Sequence, residues 1–114
     1  MLYAGAAEAQ TPPYRSPLPD TYEAAMKCLV ANGRARTVRQ RAGDATAAAH
    51  YEAGARSSFE AAQVVAGALG YSERRFSADL DRVREHELPL MVNDAAYFRV
   101  AVATCRALGL MPTA

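Results

Sequence analysis

The stretch "ATAAAHYEAGARSSFEAAQVVAGAL", residues 45–69, decides the fold class. Its apolar and small residues fall at Ala48, Tyr51, Ala55, Phe59, Ala62, Ala66 and Leu69. Steps of three and four trace one face of an α-helix. The opposite side offers Glu52, Arg56, Glu60 and Gln63. At 1.5 Å per residue such a helix is about 37 Å long. Gly54 and Gly67 weaken it locally or permit close packing, and Gly70 ends it. Just upstream, Gly43 suits the position after a helix end and Asp44 suits an N-cap.

Composition agrees. Alanine supplies 26 of 114 residues, whereas valine supplies eight and isoleucine and tryptophan are absent. Alanine is the best helix former and a poor strand former, so the chain reads as all-α. The length suits one domain. A 51% hydrophobic content with a net charge of +1 excludes intrinsic disorder. Two cysteines are too few for a dense disulfide scaffold. Nearly half of the apolar residues are alanines, so the core is shallow and benefits from a covalent staple.

The flanking segments supply three more helices. A first begins at Asp20, with Glu23 placed for a capping box. Small residues follow at Ala24, Cys28, Ala31, Ala35, Val38 and Ala42, beside Tyr22, Met26 and Leu29. Asn32-Gly33 is a turn signal, so this helix either ends there or continues to Ala42. A third helix is capped by Ser72, buries Phe76, Leu80 and Val83, and fades near Glu87 because Pro89 follows. Leu90, Met91 and Val92 then form an apolar connector. The last helix starts at Asn93 or Asp94, turns Phe98, Ala101, Cys105 and Leu108 inward, and ends at Gly109. Short connections predict a single antiparallel four-helix bundle over residues 20–114.

Residues 1–19 read differently. Pro12, Pro13, Pro17 and Pro19 disfavour helix and predict an extended arm. Ala7-Glu8-Ala9 also fits the small-x-small pattern of a signal-peptidase site, as in the remnant of a secretory leader. The expected location is therefore periplasmic or secreted. No stretch approaches 18 apolar residues, so no transmembrane segment is expected.

Cys28 lies in the first helix and Cys105 in the last, and these helices are neighbours in an up-and-down bundle. A disulfide between them closes a 77-residue loop, worth roughly 4.5 kcal/mol in the chain-entropy account. It suits an oxidising compartment. The alternative is two separate buried thiols in a cytosolic protein.

Little in the chain signals catalysis. His50 and His86 lack the spacing of a zinc or His-pair motif and read as surface or helix-end residues. Asp79, Asp81, Glu85 and Glu87 alternate with Arg82 and Arg84, as on a solvated, salt-bridged face. No Walker, dinucleotide or G-x-S-x-G motif occurs. Neither a cofactor nor a metal is expected. The marked anomaly is "RARTVRQR", residues 34–41. Arg34, Arg36, Arg39 and Arg41 fall within eight residues with no acid between them, and the rest of the chain is net negative. This patch suits an anionic partner surface. Near-neutral total charge and the lack of interleaved aromatics argue against nucleic acid.

The segments "MKCLVANGRA", "DATAAAHYEAG" and "ATCRALGL" together resemble the type VI secretion amidase immunity proteins. These are exported, helical chains of similar length, with one cysteine in the first helix and one in the last. The resemblance implies a dimer that blocks a peptidoglycan amidase through a protein surface. It assigns no inhibitory residue here, and the arginine run departs from it. The leading expectation is a non-enzymatic exported protein acting through protein contacts, with Arg34, Arg36, Arg39 and Arg41 as its surface. A small-ligand or lipid carrier, with a pocket between Ala-lined helices, is the alternative.

Overall fold

The computed structural model describes residues 18–113. Four helices account for most of them: α1 (Asp20–Arg41), α2 (Ala45–Ala68), α3 (Glu73–Asn93) and α4 (Ala95–Ala107). There is no strand among the described residues. The bundle is joined by the Cys28–Cys105 disulfide, with Cα atoms 5.6 Å apart. The leader-like Ala7-Glu8-Ala9 and the first three of the four arm prolines lie outside the described residues.

The helix ends follow local chemistry. Asp44, Ser72 and Asp94 cap α2, α3 and α4, accepting from the backbone N–H of Ala47, Arg75 and Tyr97. Gly43 and Gly70 take φ of +78° and +74°, a region that L side chains rarely adopt. There the chain closes on itself, with the Asp44 N–H donating to Arg39 O and the Tyr71 N–H to Ala66 O. The start of α1 differs from expectation. Pro19, not Asp20, is the N-cap, and no side chain caps it. Asp20 and Glu23 instead place negative charge in the first turn, where the helix dipole favours it. Leu18, assigned to the arm by sequence, is buried in the core.

α1 is the centre of the molecule and packs against the other three helices. Its buried residues include Tyr22, Ala25, Met26, Cys28, Ala31 and Ala35, which span more than one face. It runs without a break through Asn32-Gly33. Asn32 is fully buried, and its Nδ2 donates to Cys28 O at 2.8 Å and Leu110 O at 2.9 Å. With its donors bonded to these carbonyls, the amide does not compete for the helix's own backbone bonds, although its buried Oδ1 finds no partner among the described residues. Beyond Ala35 the neighbours fall away, and Val38 is 40% exposed.

Tyr22 is the aromatic centre of the core. Its ring meets Tyr71 edge-on at 5.4 Å and Phe76 at 6.4 Å, and Phe76 meets Phe59 at 5.3 Å. Leu69 and Leu108, expected on inner faces, are exposed. α3 does not fade at Glu87 but continues through Pro89 to Asn93. The expected connector Leu90-Met91-Val92 is helix. Burial of Met91 anchors this last stretch and offsets the hydrogen bond that proline removes.

Candidate partner-binding groove

Two side-chain contacts order α1 and α3. Tyr22 meets Asp79, and five residues further along α1 Lys27 meets Glu87. The two helices therefore advance in the same direction. Alongside these contacts lies a groove of about 530 Å³. Its α1 wall carries Leu29, Val30, Gly33 and Thr37, its α3 wall Leu80, Leu88 and Val92, and Ala55 of α2 also lines it. The lining is mostly apolar, yet four arginines border it: Arg34, Arg36 and Arg41 from α1, and Arg84 from α3.

The structure thus brings together three of the four arginines singled out by sequence. Arg39 is exposed and does not line the groove. Among the described residues, none of Arg34, Arg36, Arg39, Arg41 and Arg84 forms an ion pair. By contrast, Arg56, Arg75 and Arg82 each face a carboxylate. The Nε atoms of Arg34 and Arg36 are shielded from solvent and have no hydrogen-bond acceptor among the described residues. An unsatisfied buried donor costs about 1–3 kcal/mol.

Arg84 escaped the sequence reading because it sits in the charged run of α3. Its signal is positional. It lies four residues after Leu80 and four before Leu88, on the same helical line. Of the two alternatives the sequence leaves open at Asn32-Gly33, the structure takes the continuous helix, and Gly33 is an interior residue of α1 lining the groove.

The acidic residues of α3 are not one solvated face. Asp81 and Glu85 are exposed, but Asp79 and Glu87 are 2% and 4% exposed. Phe76, Asp79, Val83, Glu87 and Met91 step by three and four, so both carboxylates ride on the buried stripe. Asp79 accepts from Tyr22 at 2.8 Å, Arg75 at 3.1 Å and Arg82 at 2.6 Å. Burial pushes its pKa upward, but the hydrogen bonds from Arg82, Tyr22 and Arg75 outweigh this and hold the carboxyl below its ordinary range. Burial, then the bond to Asp79, pushes the Tyr22 hydroxyl above its ordinary pKa. Glu87 accepts from Tyr97 and lies 3.9 Å from Lys27 Nζ. Burial and Glu87 raise the Tyr97 hydroxyl in the same way.

The histidines lie apart. Both His50, on α2, and His86, on α3, are exposed, and His86 is 3.8 Å from Glu87. No group of three or more His, Cys, Asp or Glu side chains able to hold a metal ion occurs among the described residues. No helix among them is long and apolar enough to cross a membrane. A disulfide without such a helix is compatible with an extracellular or periplasmic location.

No protein-family model matches this chain, and neither a curated protein nor a solved structure matches it.

Proposed function

We propose that this protein acts by contact with another protein, outside the cytosol and without catalysing a reaction. The observation that carries this reading is the set of arginines around the groove, Arg34, Arg36, Arg41 and Arg84, none of which forms an ion pair among the described residues. Guanidinium groups suit bidentate pairing with carboxylates, and arginine is enriched where partners dock. The buried carboxylates support the same view. Asp79 and Glu87 are engaged by Tyr22, Arg75 and Arg82 and by Tyr97 and Lys27, as befits structural anchors. The covalent tie between α1 and α4 supports export.

The test is affinity capture from the extracytoplasmic fraction of the native cell. Wild-type protein is compared with a variant in which Arg34, Arg36, Arg39 and Arg41 are replaced by serine. One protein is expected to be retained by the wild type and depleted at least tenfold by the variant. Equal retention by both, or by neither, overturns the reading. Resemblance to amidase immunity proteins makes a peptidoglycan amidase the first candidate to examine, by its inhibition in the presence of the purified chain.

A second reading rests on volume. About 530 Å³ lies within the range of small-ligand sites, so the groove could carry an apolar anion. Mass spectrometry of a solvent extract of the purified protein tests it: a stoichiometric lipid or organic acid favours this second reading, and its absence favours protein contact.

A further inference from the structure

The groove has a shape and a charge that together describe its occupant. Its α3 wall is set by Leu80, Arg84, Leu88 and Val92, each four residues from the next. Its α1 wall repeats the same step at Leu29, Gly33, Thr37 and Arg41. Twelve residues of helix rise about 18 Å, so each row is a ridge of that length, and the Tyr22–Asp79 and Lys27–Glu87 contacts stagger the two so that they face each other around Leu88 and Val92. A helix seats its own ridge between such rows. Gly33 sharpens the point. A Cβ added there would meet nothing within 4 Å, and its φ is not in the left-handed region. Neither packing nor backbone conformation requires glycine, which costs an interior helix position about 1 kcal/mol relative to alanine. Gly54 is different, because an added Cβ would stand 2.9 Å from Asn32 Cγ. The absent side chain at Gly33 leaves a notch in the α1 wall, between Leu29 and Thr37. The bordering arginines form no ion pair among the described residues, so acidic residues on an entering segment complement them.

We propose that the groove between α1 and α3 receives an amphipathic helix of a partner protein. Its apolar residues recur every three to four positions and are flanked by Asp or Glu, and one bulky apolar side chain enters the notch at Gly33. This rests on the protein-contact reading above and adds the partner's chemistry to it.

The test uses a displayed library of 16-residue helical peptides. Leucine is fixed at positions 3, 7, 10 and 14, and the flanking positions are randomised among Asp, Glu, Lys and Gln. Selection on the intact, oxidised protein is expected to enrich Asp and Glu at the flanks. The selected consensus peptide should then lose at least tenfold in affinity, by fluorescence anisotropy, on R84S and on G33L. G33L fills the notch while favouring the helix, so its melting temperature should be unchanged or higher. Enrichment of lysine, no enrichment, or full binding by a folded G33L overturns the inference. So does binding of dodecanoate without any selected peptide, which assigns the groove to a small amphiphile. Self-association that G33L dissolves overturns it in favour of a second copy. If the native partner is lost with the arginine variant but kept by G33L, the contact reading stands and the inserted helix does not.

Discussion

Asn32 and Gly54 fit one another across the α1–α2 contact. The Asn32 amide donates to two carbonyls, Cys28 O and Leu110 O, so its Oδ1 faces α2 where Gly54 has no side chain. A Cβ at residue 54 would crowd Asn32 and stand 3.1 Å from Pro112 Cδ. G54A is therefore expected to lower stability by about 1–3 kcal/mol despite alanine's higher helix propensity, as urea unfolding would measure. Asp79 makes a second residue-scale prediction. Its folded pKa is lowered, so its stabilisation is full above about pH 4, near the unfolded value. It is lost as pH falls through the lower folded value. D79N should flatten the decline in urea midpoint below about pH 4, and an unchanged acid limb would contradict that role. Both residues were visible as letters but not as partners. Asn32 read as a turn and Asp79 as part of a solvated face, because burial depends on which helix lies opposite.

At the scale of elements, the N-caps of α2, α3 and α4 were the most legible features. Asp44, Ser72 and Asp94 each bond one free amide in the first turn, chemistry that spans only three residues. Proline misled for an instructive reason. Pro89 removes a hydrogen bond to the preceding turn, which favours stopping, but Glu87 and Met91 on either side are buried. Tertiary burial carries α3 past the interruption. Replacing exposed Pro89 by alanine should restore the missing donor and raise stability, by up to about 3 kcal/mol. Had the helix ended at Glu87, the same substitution would leave the unfolding midpoint where it is.

For the whole molecule, the disulfide decides how far a shallow core can hold. Cys28 and Cys105 are separated by 77 residues and are both buried. Closing a loop of that length removes roughly 4.5 kcal/mol of chain entropy from the unfolded state. Small domains have a net stability of about 5–15 kcal/mol, so reduction should bring this one near its unfolding threshold. The double variant C28A/C105A should melt far below the wild type by circular dichroism. Equal melting temperatures would mean that helix packing alone suffices. Sequence by itself determined the all-α class, the caps at Asp44, Ser72 and Asp94 and the suspicion of a bridge, since propensity, capping and spacing are local. It also marked Arg34, Arg36 and Arg41, because a run of like charge is local too. Only the tertiary structure decided that Arg84 joins them, that Asp79 and Glu87 are buried, and that Gly33 opens a notch. Those facts depend on how α1, α2 and α3 lie against one another, and packing geometry is a property of helix pairs that no single helix encodes.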